Sequence, residues 1–168
     1  MPSPQPPPAW LLSLGITLKI PLMLFIRPRV VTLDDEGSAI RIGLGWRTRN
    51  HVGSMHVGVL AIGADLAIGL PALRAIRTGH PQVVLIFADL KADFLKRADG
   101  DVVFRCRDGR RVAEAVAQAD ASGERVTIPV EVVATVPAKY GEEPVARFTM
   151  GLSLKRRDAS RKAGERAA

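Results

Sequence analysis

One cysteine, Cys106, is all the thiol this 168-residue chain contains. That excludes an intramolecular disulfide and a cysteine-rich metal site, and it fits a reducing, cytoplasmic setting. Histidine is scarce as well. Only His51, His56 and His80 are present, with no His-x-x-x-His pair and no carboxylate cluster around them, so no metal is expected. Aromatic residues make up 5% of the chain, with one tyrosine and two tryptophans. The stacking platform that single-stranded nucleic acid uses is therefore missing. Ser54 has no His–Asp set to activate it and reads as a helix cap rather than a nucleophile.

Acidic residues are outnumbered, and the formal net charge is +7. The excess is concentrated at one end. Residues 155–168, KRRDASRKAGERAA, carry six basic and two acidic side chains, a net of +4, leaving +3 for the other 154. Residues 156–168 are expected to be a solvated, disordered tail, and nucleic acid is not an expected partner.

At the other end, residues 1–8 (MPSPQPPP) are proline-rich and expected to be extended or disordered. Residues 9–26, AWLLSLGITLKIPLMLFI, are apolar and about as long as a membrane span. Lys19 at the centre and Pro21 close behind it argue against spanning. No basic residue precedes the run and no small-x-small site follows it, so it does not read as a signal peptide. Residues 9–27 are expected to be a packing helix or pair of helical turns, in preference to an interfacial membrane contact.

Between these ends, 47% hydrophobic residues supply a core for one domain, residues 28–155. Residues 29–35 read as a strand. Residues 38–47 alternate with period two, with Ile40, Ile42, Leu44 and Trp46 on one side, and predict a half-buried antiparallel strand. From Ser54 to Leu70 glycine and alanine interleave with Val, Leu and Ile, and beyond His56 the one polar residue in the run is Asp65. This predicts a buried helix, capped by Ser54, kinked or restarted at Pro71 and ending near Thr78-Gly79. Further strands are predicted at 82–95, bulged, and at 101–107, with Ala98-Asp99-Gly100 between them as a hairpin turn. Asp108 is expected to cap a helix ended by Ser122-Gly123, and the last strands to cover 124–136 and 144–155. Runs of strands without βαβ alternation give the class α+β: an antiparallel sheet of about six strands wrapped around a long central helix.

The segment NHVGSMHVGVLAIGAD, residues 50–65, places Asn50, His56 and Asp65 at intervals of six and nine. An ionised carboxylate among Gly, Ala, Val, Leu and Ile costs free energy unless it is paired or put to use. Asp65 is therefore either held by backbone N–H groups in a structural role or catalytic. The helix start at 56–58 offers N–H groups and a positive dipole end.

This spacing resembles the active-site segment of hotdog-fold acyl-CoA thioesterases, especially the phenylacetic-acid-pathway branch, in which Asn is followed by His-Gly-Gly and then by Asp or Glu. The strand-rich stretch KADFLKRADGDVVF is similar too. The helical insert near 109–121 and the N-terminal helix resemble a hotdog branch known only as a domain of unknown function. The resemblance implies a homodimer or dimer of dimers that hydrolyses an acyl-CoA or acyl-carrier thioester in a site shared between chains. It implies Asp65 as base or nucleophile, Asn50 and His56 as site residues, and Val57 and Gly58 as oxyanion donors. One departure stands out: Val57 replaces the first family glycine, which bears on acyl-group size. Coenzyme A enters as part of the substrate, with no resident cofactor. Its phosphates call for cations near the site, with Lys96 and Arg97 first, then Arg47 and Arg49. The alternative is a non-catalytic relative that binds fatty acyl groups or acyl-CoA. An enoyl-CoA hydratase is disfavoured because the paired Asp and His of such enzymes are missing.

Overall fold

The computed structural model describes residues 20–157. The expectations for residues 1–8, for most of 9–27 and for the tail beyond 157 lie outside the described residues. The first element, α1 (Pro21–Ile26), begins where proline is tolerated, at the first helical position. It stops at Arg27, whose left-handed backbone (φ 55°) turns the chain into β1 (Arg29–Leu33). Met23 and Ile26 face the core. Next come β2 (Ser38–Ile42), α2 (Val57–Gly79), β3 (Val83–Phe94), β4 (Val102–Cys106), α3 (Gly109–Ser122), β5 (Val126–Thr135), the single turn α4 (Pro137–Tyr140) and β6 (Pro144–Arg156).

The strands form one antiparallel sheet in the order β1-β2-β4-β5-β6-β3. Helix α2 lies across β2, β4, β5 and β3, and α3 packs against α2, β5 and β6. Phe104, Phe148, Ile40, Ile42, Ile68, Leu152 and Leu154 are fully buried between these layers. The class and architecture expected from the sequence are therefore present. Among the described residues α2 alone is long and apolar enough to cross a membrane, and 61% of its apolar window is buried inside the fold. Its apolarity is that of a core helix.

Two contacts seat α2 on the sheet. Gly63 lies under Phe104, so close that a methyl group there would fall 2.3 Å from the ring. Ser38 Oγ, on β2, donates to the Ala67 carbonyl at 2.6 Å. That carbonyl lies four residues before Pro71, which has no N–H to offer it. With the orphaned acceptor satisfied from outside, α2 runs as one helix through Pro71, where the sequence predicts a kink or restart.

Other local expectations are corrected too. The strand beginning at residue 38 ends at Ile42 rather than 47, because Asp101 and Thr48 take up the following backbone groups. Ser54 does not cap α2. The helix starts at Val57 with His56 as N-cap, and Ser54 bonds Asn50 instead. The Asp108 carboxylate does not cap α3; it accepts from the Glu131 N–H at 3.2 Å. Gly123 closes α3 as expected, at φ 72°.

The largest correction concerns Ala98-Asp99-Gly100, which closes no hairpin. Strand β3 pairs with β6 alone, at the far edge of the sheet from β2. The bulge expected in β3 is present, between Phe87 and Leu90. Beyond β3 the chain crosses the end of the sheet to reach β4. Leu95 and Lys96 N–H both reach the Val145 carbonyl, and Ala98 O accepts from Met55 N–H. Asp99 is taken by Lys139 and by Tyr140 Oη. The turn residues are real, but they serve this crossing.

Candidate active site

The loop from Gly43 to His56 carries most of the predicted site, and polar contacts shape it. Asp101 Oδ1 accepts from Leu44 N–H at 2.8 Å and Oδ2 from Arg41 Nη2 at 2.6 Å. These bonds, the Leu44 N–H first and Arg41 next, hold the Asp101 carboxyl below the usual range. Thr48, 3% exposed, donates from Oγ1 to Gly43 O at 2.7 Å and accepts from Gly45 N–H at 2.9 Å. The Thr48 carbonyl accepts from His56 N–H at 2.8 Å. Neither Thr48 nor Asp101 stands out in the sequence, since each acts through residues that only folding brings near.

Asn50 organises the tip of the loop. Its Oδ1 accepts from Val52 and Ser54 N–H at 3.0 and 3.1 Å, and its Nδ2 donates to Ser54 Oγ at 3.1 Å. Gly53, at φ 81°, makes the turn that permits this. The amide is thus largely spent on the loop.

At the helix start, His56 Nδ1 accepts from Gly58 N–H at 3.0 Å, which leaves the ring proton on Nε2 in the neutral form. His56 N–H is used by Thr48 and Gly58 N–H by His56. The one donor of residues 56–58 with no partner among the described residues is Val57 N–H. The Val57 side chain stands 55% exposed beside it.

Asp65 lies two residues after Gly63, so on an α-helix it points about 200° away from it. Gly63 faces the sheet, and Asp65 therefore faces outward. It is half-buried. No hydrogen bond or ion pair reaches its carboxylate among the described residues, so backbone N–H groups do not hold it. Burial raises its pKa above the ordinary carboxylate value. Ala61 and Ile62, one turn before it, are half-buried too. At Gly69, one turn after, a methyl group would meet nothing within 4 Å. Helix α2 thus shows a small-residue face, away from the sheet, that the described chain leaves partly open.

The cation candidates separate. Lys96 pairs with Glu143 at 2.6 Å and lies over the Tyr140 ring. Arg97 Nη2 donates to Val52 O at 2.5 Å, which brings its charge to the Asn50 loop. Arg47 stacks on Trp46 and Phe25, and its buried Nε has no partner. Arg49 is exposed, on a strand-like bridge to Met55. Asn50, His56, Val57 and Arg97 therefore meet at one end of α2. Asp65 stands nine residues along, roughly 13 Å of helix. Cys106 is buried and its thiol is pushed up to about 11, which leaves it inert. No group of acidic, histidine or cysteine side chains among the described residues could hold a metal.

Comparison with known proteins bears on the fold that carries these residues. The chain is similar to a Pseudomonas aeruginosa protein of unknown function named as a probable thioesterase: 22% identity, 92% of this chain and 100% of that one, TM-score 0.73. A protein of unknown function from Chlorobaculum tepidum matches at 13% identity over 89% and 94% of the two chains, with a TM-score of 0.71. A thioesterase from Haemophilus influenzae matches at 12% identity over 90% and 93%, with a TM-score of 0.61. At these identities the likeness establishes the fold. No curated protein matches significantly. Residues 8–152 match the family model described as Domain of unknown function (DUF4442). Six antiparallel strands around a long, largely buried helix, matched over nearly the whole chain, make this a hotdog fold, and the protein belongs to the DUF4442 family.

Proposed function

We propose that this protein hydrolyses acyl thioesters, with acyl-CoA as the substrate class, in a site built by two copies of the chain. The observation that carries the reading is Asp65: an unpartnered, half-buried carboxylate facing away from its own sheet on an apolar helix. A fold keeps such a group at a cost, and an acid tuned upward by burial suits proton transfer. Solved hotdog proteins named as thioesterases share the architecture.

The chemistry divides between the two ends of α2. Val57 N–H is the donor for the thioester carbonyl oxygen, and the helix dipole adds to it. Asp65 takes a proton from water as the water oxygen attacks the carbonyl carbon, or attacks that carbon itself. In the first route the C–S bond then breaks and the proton passes from Asp65 to the leaving thiolate, giving acid and thiol. In the second the C–S bond breaks to release thiolate and leave an acyl–Asp65 anhydride, which water hydrolyses, regenerating the carboxylate and giving up the proton that the thiolate takes. One chain cannot bring both groups to one carbonyl across some 13 Å, so Asp65 serves the helix end of a partner. The free edge of β3 supports this dimer. Leu90 and Phe94 are about half exposed there, on a long strand paired on one side only. An edge of that kind calls for a cover.

A non-catalytic reading, in which the protein binds acyl groups without cleaving them, draws on the Val57 side chain at the donor position. One experiment separates the two. Wild type and Asp65→Asn are assayed on acyl-CoAs of several chain lengths with a thiol reporter. Hydrolysis by wild type and a loss of roughly 10²–10⁴-fold in the variant are expected. Equal turnover by both overturns the assignment of Asp65. No turnover, with acyl ligand retained in native mass spectrometry, establishes the binder.

A further inference from the structure

The sheet has a second face, turned away from α2, and the thioester chemistry leaves it unused. Along β5 the inward residues Val130, Val132 and Ala134 are buried, and Pro129, Glu131 and Val133 point to the other side. On that side a cleft of about 690 Å³ runs over β4, β5 and the start of β6. Four arginines line it: Arg105, Arg107, Arg111 and Arg147. Arg105 is paired with Glu142 at 2.9 Å. The other three have no carboxylate partner among the described residues. Thr135 also lines the cleft. It is 2% exposed, yet its Oγ1 has no hydrogen-bond partner. A buried hydroxyl left unpaired costs free energy, and Pro144, its neighbour across the ladder, has no N–H to give.

We propose that this cleft binds a phosphate ester of mononucleotide size. Guanidiniums pair with phosphate oxygens in planar, bidentate fashion, and three of those lining the cleft have no carboxylate partner among the described residues. Thr135 Oγ1 supplies a hydroxyl to a ligand oxygen and is satisfied in return. Val133, Pro129 and Pro144 give the cleft an apolar floor and rim for a planar ring. Glu131 and Asp108 accept from ring amines or sugar hydroxyls. They also bring the acidic count to three, so the cleft carries a net +1 rather than +4. That balance favours a compact monoester with donor groups over a polyanion. The volume lies within the range of small-molecule sites. The site stands apart from Asp65, and the proposal does not depend on thioester hydrolysis.

Calorimetric titration of the full chain at low salt tests it, with AMP, coenzyme A, inorganic phosphate and adenosine as probes. AMP is expected to bind saturably and adenosine far more weakly, with inorganic phosphate competing. Arg111→Ala and Arg147→Ala should each weaken AMP by roughly tenfold or more. Thr135→Val should weaken it several-fold without lowering the Tm of the unliganded protein. Both arginines are exposed and make no ion pair among the described residues, so the fold should tolerate their loss, and Arg147→Glu offers a stronger second variant. Coenzyme A binding more tightly than AMP, with the same arginine dependence, assigns the cleft to the nucleotide end of that molecule. Equal affinity assigns it to a free nucleotide. Absence of saturable binding by both, adenosine binding as well as AMP, or affinities untouched by the arginine variants overturns the proposal.

Discussion

Ser38 Oγ donates to the Ala67 carbonyl at 2.6 Å, and that carbonyl is the one Pro71 leaves without an intrahelical partner. A long helix with proline inside it survives here because β2 supplies the missing donor.

Ser38→Ala should therefore cost about 1–3 kcal/mol, the penalty of a buried acceptor left unsatisfied. In a Pro71→Ala background the residue 71 N–H returns to Ala67, and the same Ser38→Ala change should cost less than half as much. Urea denaturation of the four proteins closes the cycle. Equal costs in both backgrounds would show that the bond does not compensate for the proline.

Legibility followed the range of the interaction. Strands expected from 29, 38, 82, 101, 124 and 144 begin at 29, 38, 83, 102, 126 and 144, and the helix ends at Gly79 as expected, because period and small-residue patterning are local. Ala98-Asp99-Gly100 misled because turn chemistry is local and strand partnership is not: β3 finds β6, some fifty residues on. Pro71 misled for the same reason, its remedy lying on another element. Within the site, the residue types Asn50, His56 and Asp65 could be read. Which N–H of 56–58 stays free could not, since it depends on the His56 ring turning back to Gly58. Thr48 and Asp101, which hold the loop, left no signal at all.

Gly63 is a second point of close approach. A Cβ there falls 2.3 Å from two Phe104 ring carbons, and Phe104 is fully buried. Gly63→Ala should lower stability by about 1–3 kcal/mol through overpacking, more than the helix-propensity gain of roughly 1 kcal/mol. Gly79→Ala is the contrast: nothing lies within 4 Å there, and stability should hold or rise by up to about 1 kcal/mol. Thermal unfolding of both variants checks the pair, and a stabilised Gly63→Ala would contradict the packing.

Asp101 should matter to stability and to the site together. Asp101→Ala removes the acceptor of Leu44 N–H and the partner of Arg41, a loss of about 1–2 kcal/mol for a partly exposed carboxylate. The folded-state pKa is lowered, so this stability is present above the unfolded value near 3.8 and disappears as pH falls toward the folded one. Wild type and variant should thus converge in strong acid. Hydrogen exchange should show the 43–49 backbone opening in the variant, and unchanged protection there would show that Thr48 alone shapes the loop.

Asp65 runs in the opposite direction. Burial raises its folded-state pKa above the ordinary carboxylate value, so the folded chain holds its proton more tightly than the unfolded chain does. Stability is therefore greatest below the unfolded value and falls as pH rises from there through the folded pKa, after which the full penalty of the buried charge remains. Asp65→Asn removes that penalty while keeping the shape. It should raise Tm at neutral pH, and the gain should vanish below about pH 4, where wild type is protonated too. If the wild-type carboxylate serves catalysis, the same substitution that stabilises the fold abolishes turnover, the trade expected of a group kept for its chemistry. A Tm at pH 7 that falls in Asp65→Asn would mean that the charge is paired in solution, and the outward, unpartnered acid would have to be abandoned.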